Sequence, residues 1–368
     1  MPAKLSHRRE IQGLRALAVL AVITNHLFPD LLPGGFLGVD IFFLLSGYLI
    51  TGQLLELSTA GNLVRNLLNF YARRIRRILP SAFLVIWVTV GLAYKYLGPV
   101  IGNETLRDGR WSTLFFANSH FNSLQVDYFG TGTSSPLLQH YWSLAVEEQF
   151  YIVWPILLLL IVLLFRAGSS KILLAVLSIT TVFSFISIFT IEQALTYFAT
   201  QTRIWELGMG AIMALVGSKP TPKVVQWIAL IILIGSLYLI DLDNQIPGFV
   251  ILPVLLGTAT LLNVSDTRLK KILGNRVMHY LGDLSFVLYL WHWPIIELHR
   301  QLGTSELTTN DSLSQLVITV LMAVITHHLI ENPIRFSKYL ASHPGVTVVS
   351  GSAALVLSVL ATYFFVKG

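Results

Sequence analysis

The chain has 368 residues, of which 54% are apolar and only 12% charged, with a mean hydropathy of +0.69. A soluble domain carries about twice that charged fraction, so the composition excludes a soluble core and fits lipid as the solvent. The net charge of +6 reads as membrane topology and not as nucleic-acid binding, and zero cysteines exclude disulfides, zinc–thiolate sites and thiol nucleophiles.

The first 29 residues resemble a signal peptide, with Lys4, Arg8 and Arg9 ahead of an apolar run. Arg15 and His26 inside that run, and the lack of a small-x-small site, argue for a retained first helix. Apolar stretches of spanning length follow at 36–57, 79–98, 142–165, 172–190, 204–217, 224–241, 248–264, 281–299, 313–332 and 346–366, which makes eleven with 11–29. The sixth is short and glycine-rich, and 190–203 is a candidate re-entrant stretch. An alternating path from an inside N-terminus puts most of the 25 Lys and Arg residues in inside segments. An odd count puts the C-terminus outside. The longest outer connection, 99–141, holds many aromatic residues and the run Gly130 to Ser135. It reads either as a partial lid or as a solvated loop.

Ionisable residues inside spans cost roughly 3 kcal/mol on insertion scales and usually face a protein interior or wet cavity. Helix one carries Arg15 and His26, three turns and about 16 Å apart on one stripe. Asp40, early in the second span, falls at a depth similar to His26. A carboxylate there would orient the imidazole as a general base. Gly34, Gly35, Gly38, Ser46 and Gly47 permit close helix approach. The connection FYARRIRRILP places Arg73, Arg74, Arg76 and Arg77 on the inner side, as a positive-inside anchor or as phosphate-binding guanidinium groups. In HYWSLAVEEQFYIVWP, Ser143 and Glu147 are four apart, and with Trp142, Glu148 and Tyr151 they suggest a polar entrance. Arg203 and Glu206 have pairing spacing, as do His327 and Glu331. The latter two supply too few ligands for a metal, and no metal site is expected.

These ordered motifs resemble the membrane-bound acyltransferase-3 family, whose members O-acylate cell-envelope sugars. The resemblance spans about residues 8–337. It rests on EIQGLRALAVLAVITNH, GGFLGVDIFFLLSGYLI, FYARRIRRILP, WSLAVEEQFYIVWP, RIWELGMGA, LSFVLYLWHWPI and ENP at Glu331 to Pro333. It implies an all-α polytopic membrane protein, a bundle of ten family-type transmembrane helices plus an eleventh. Residues 1–340 would form the acyltransferase domain, and 341–368 a further helix leading outward. By resemblance His26 is the essential histidine and Arg15 its partner. Arg73 with Arg76, or Arg74 with Arg77, matches the R-x-x-R element. Glu147 or Glu148 matches S-x-x-x-E from Ser143, and Glu331 is the late glutamate.

The resemblance also implies acetyl-CoA as donor substrate, with no permanently bound cofactor, and a lipid-linked or surface glycan such as lipopolysaccharide O-antigen as acceptor. The setting is then a bacterial inner membrane, with a cytoplasmic N-terminus and a periplasmic C-terminus. A fused or separate SGNH-type outer domain is a further expected partner. In the expected mechanism the arginines at 73–77 hold the CoA phosphates, with Arg15 and Glu331 nearby. His26 then either deprotonates the acceptor hydroxyl or carries the acyl group itself. The competing readings are a transporter, and an acyl-relay module whose final transfer is made by a separate outer domain.

Overall fold

The structure is a computed structural model that describes residues 8–58, 62–128, 135–165, 169–217, 221–241, 246–303 and 308–366. Lys4, Arg166, Lys219, Lys367 and most of the Gly130 to Ser135 run lie outside the described residues. Among the described residues the regular structure is all helical.

In chain order the helices are α1 (Arg9–Leu27), α2 (Gly38–Ser58), α3 (Leu63–Tyr96), α4 (Gly98–Thr113), α5 (Ala117–Ser123) and α6 (Tyr141–Phe165). Then come α7 (Ser169–Ser187), α8 (Gln193–Thr196), α9 (Ile204–Val216), α10 (Lys223–Leu239), α11 (Leu252–Leu261) and α12 (Thr267–Leu273). The series ends with α13 (Arg276–Leu302), α14 (Thr309–Thr326), α15 (Asn332–Arg335), α16 (Lys338–Ser342) and α17 (Pro344–Val366). A π-helical turn, His327–Glu331, joins α14 to α15. Local chemistry sets several of these starts. Asn62 caps α3, Asp266 accepts from the backbone of Arg268 and Leu269 at α12, and Thr308 with Asp311 forms a capping box on α14.

Each of the eleven expected spans coincides with a helix. Among the described residues, six helical stretches are long and apolar enough to cross a membrane: Pro33–Leu57, Leu63–Tyr96, Tyr141–Phe165, Ser169–Ser187, Thr309–Ser342 and Pro344–Phe364. The other five coincide with shorter or more polar helices. Two expectations are corrected. The arginine-rich connection before residue 79 belongs to α3, a continuous helix of 34 residues. At 1.5 Å per residue that is about 51 Å, well beyond one span, so its basic first half extends past the apolar part. The outer connection 99–141 is also not a loop at its start. It forms α4 and α5, closed by a buried pair in which His120 Nε2 donates to Asp108 at 2.9 Å. Trp111 stacks on that histidine ring.

The chain divides into two compact units. The first holds Met1–Ala60 and Val146–Ser285. Small residues bring its helices together. A Cβ at Gly38 would collide with the carbonyl oxygen of Ala18, joining α2 to α1, and one at Gly47 would collide with that of Leu207, joining α2 to α9. Close packing thus accounts for Gly38 and Gly47. The second unit holds Gly61–Ala145 and Phe286–Gly368. There α17 lies against α3 and α4. Trp87 donates to Ser358 at 2.9 Å and Arg110 to Thr362 at 2.8 Å, with the Arg110 guanidinium 3.7 Å from the centre of the Tyr363 ring.

Candidate active site

In the first unit, Arg15 and His26 both lie half-buried on α1, as the eleven-residue spacing requires. Arg15 donates to the Ser285 hydroxyl at 3.0 Å. His26 occupies the last turn of the helix. Asp40 is not the orienting partner of His26 that its depth suggested. Its buried carboxylate instead accepts from Arg203 Nη1 at 2.9 Å. A buried guanidinium is a stronger attractor than an imidazole, because it keeps its charge in any environment. Arg203 also pairs with Glu206 at 3.1 Å, as their spacing predicted, and its guanidinium lies 4.6 Å from the centre of the Tyr197 ring.

Glu147 takes a short hydrogen bond, 2.6 Å, from the hydroxyl of Ser46 on α2. Ser46 therefore does more than permit close approach: it fixes a carboxylate on α6. Glu148 and Tyr151 are buried beside it in sequence, and one turn further on Trp154 donates to Thr51 at 2.9 Å. The Ser46 and Thr51 contacts together tie α6 to α2.

In the second unit, the four arginines occupy different surroundings. Arg73 is exposed, and Arg74 and Arg77 are half-buried. Arg76 is 8% exposed, and its Nε and Nη1 have no hydrogen-bond partner among the described residues. A buried guanidinium with unmet donors costs several kcal/mol, so this position is suited to an anionic partner. Glu331 is buried in the π-turn, accepting from His327 Nδ1 at 2.8 Å and from Arg335 at 3.1 Å. Single π-turns recur at functional sites.

Ser143 and Glu147 have different partners despite their i, i+4 spacing. The Tyr289 hydroxyl lies 2.9 Å from the His140 carbonyl oxygen, which accepts. The Ser143 and Tyr289 hydroxyls lie 2.7 Å apart, and both also reach the His140 carbonyl, so the three form one hydrogen-bonded group in which either hydroxyl can donate to the other. Trp142 is fully buried, edge-to-face with Tyr128. His140 and His292, both buried, meet edge-to-face at 5.8 Å. His292 Nδ1 lies 2.5 Å from the Tyr289 carbonyl oxygen, which can only accept. Nδ1 therefore carries the hydrogen, and Nε2 keeps the basic lone pair. Sequence reasoning passed over this pair, although both residues stand inside the motifs it singled out. Among the described residues no group of His, Cys, Asp or Glu is placed to hold a metal.

An all-helical, multi-pass membrane protein with paired acids and arginines buried in its helices defines the class. A family model described as an acyltransferase domain matches residues 8–330, and the chain belongs to that family. YrhL of Bacillus subtilis (strain 168), provisionally named a peptidoglycan O-acetyltransferase, is 34% identical over 90% of this chain and 56% of its own length. The O-acetyltransferase OatA of Staphylococcus aureus (strain NCTC 8325 / PS 47) is 32% identical over 88% of this chain and 57% of its own. The chain thus spans a little over half the length of these relatives. No solved structure matches it.

Proposed function

We propose that the chain transfers an acetyl group from cytosolic acetyl-CoA to a hydroxyl of a cell-envelope glycan. The observation that carries this, beyond family membership, is Arg76: a buried cation with unmet donors inside a cluster of four arginines. CoA phosphates are anions that guanidinium groups match well. In this reading Arg73, Arg74, Arg76 and Arg77, with Glu331 of the same unit, hold the donor. His26 acts on the acyl group or the acceptor hydroxyl, and Glu147, held by Ser46, supplies a fixed carboxylate. Ser143, Trp142, Glu148 and Tyr151 belong to the acceptor side.

The name of YrhL favours peptidoglycan as acceptor over lipopolysaccharide. The bilayer would be the cytoplasmic membrane, crossed up to eleven times, with the N-terminus inside. A second reading, an acyl relay whose final transfer is made by another domain, draws support from the greater length of the relatives. The test is CoA binding by calorimetry in detergent. Arg76→Ala should weaken CoA binding about tenfold or more, the loss of one charge-assisted phosphate contact. Unchanged affinity would leave the arginines a topological role only.

A further inference from the structure

Asp40, Arg203 and Glu206 form a cluster in the first unit that the proposed reaction does not use. Arg203 and Glu206 are 1% and 0% exposed, and Asp40 is 2% exposed. One guanidinium faces two carboxyl groups, at 2.9 and 3.1 Å. If both acids were ionised, the cluster would hold one net negative charge, fully buried within apolar helices. Such a charge costs several kcal/mol, which taking up one proton removes.

A second observation points to where the proton sits. Glu206 Oε2 is buried and has no donor among the described residues. Asp40 Oδ1 and Glu206 Oε1 both accept from the same nitrogen, Arg203 Nη1, at 2.9 and 3.1 Å, so the two carboxyl groups converge on one point. Two ionised carboxylates cannot hydrogen-bond, because each is acceptor-only. With a proton on Glu206 Oε2, the orphaned oxygen becomes a donor to Asp40, Arg203 is fully paired, and the cluster is neutral. Two carboxyl groups this close share a proton for the same reason in other proteins.

On α1, which packs on α2, Arg15 is engaged by the Ser285 hydroxyl and His26 stands in the last turn, and among the described residues Arg203 is the one cation that acts on either carboxyl group. Tyr197 lies against Arg203 and is neutral as a phenol. Lys171 is the one Lys or Arg of α7 and stands in its first turn, far along the helix from Thr181 and Phe185, which meet α9. The sequence of α11 has no ionisable residue. On α2 the remaining ionisable groups are Tyr48, which meets Arg8, and Glu56 near the other end.

We infer that Asp40 and Glu206 form a buried proton-binding site, a carboxyl–carboxylate pair clamped by Arg203. In the proposed reaction one proton leaves the acceptor hydroxyl and one is taken up by the CoA sulfur. A buried pair that holds a single proton is a station suited to that exchange, and this role rests on the proposed function. The proton itself does not, and its test needs no activity.

The test is infrared difference spectroscopy of the purified protein in detergent at neutral pH, in H2O and D2O. Wild-type protein should show a protonated-carboxyl carbonyl band that shifts in D2O. Glu206→Gln, which keeps the shape and neutrality of the protonated pair, should lose that band and retain the wild-type melting temperature. Asp40→Asn should also lose it, because removing either acid leaves one carboxylate for one guanidinium. The variants alter different helices, so the failure of one to fold leaves the other. Retention of the full wild-type band in a folded variant overturns the inference. So does complete absence of protonated-carboxyl absorbance in the wild type, which needs no variant.

Discussion

Arg203 is where one side chain bears most directly on stability. It bonds to Asp40 across 163 residues of sequence and to Glu206 across three. Replacing it by Gln should destabilise the first unit by about 3–5 kcal/mol, because buried acids lose their counter-ion. Thermal unfolding in detergent would check this, and a melting temperature equal to wild type would contradict the pairing. The Ser46 hydroxyl should matter for function more than for folding. Its bond to Glu147 is charge-assisted and worth about 1.5–3 kcal/mol, so Ser46→Ala should lower acetyl transfer roughly tenfold with little change in melting. The Arg203–Glu206 pair was legible from its helical spacing. The Asp40–Arg203 and Ser46–Glu147 pairs were not, because each joins helices far apart in sequence, and periodicity says nothing about such partners. Asp40 was therefore assigned to the nearer histidine.

Hydropathy located the apolar helices well, because each must bury or face lipid along about 20 residues. It missed α4 and α5, which are amphipathic and polar enough to lack an apolar run. Their stability comes instead from the buried Asp108–His120 pair and from packing of α4 on α3, where Gly109 faces Ile86 and Val90. It also placed the start of α3 too late, since arginines resemble a loop to a hydropathy window yet are good helix formers. Helix packing offers a paired test. Gly47→Ala puts a methyl against the Leu207 carbonyl and should destabilise by about 1–3 kcal/mol. Gly91→Ala on α3 meets nothing within 4 Å and should stabilise by about 0.5–1 kcal/mol. Detergent melting of the two variants should move in opposite directions, and equal shifts would contradict the close contact between α2 and α9.

For the whole molecule, composition fits lipid as the solvent, and the charge distribution predicts an orientation with the N-terminus inside. The chain offers a clean way to test it, since it contains no cysteine. A single cysteine at Arg65 should react with an impermeant maleimide only from the cytoplasmic side, and one at Arg107 only from the opposite side. Labelling of both from one side would reverse or break the proposed topology. The roles proposed for His26 and the arginine cluster rest on ordered motifs, not on contacts, because a motif keeps its order even where its partners are distant in sequence. Acetyl transfer itself is measured most directly with isotopically labelled acetyl-CoA, purified chain in proteoliposomes and peptidoglycan or lipopolysaccharide fragments, reading ester-linked label on the glycan by mass spectrometry. Label should accumulate with wild-type chain and fall about 100-fold or more with His26→Ala, in line with the loss of a positioned acid–base group. Equal labelling by His26→Ala would contradict the central role of that histidine, and no labelling of either glycan by the wild type would contradict acetyl transfer by this chain.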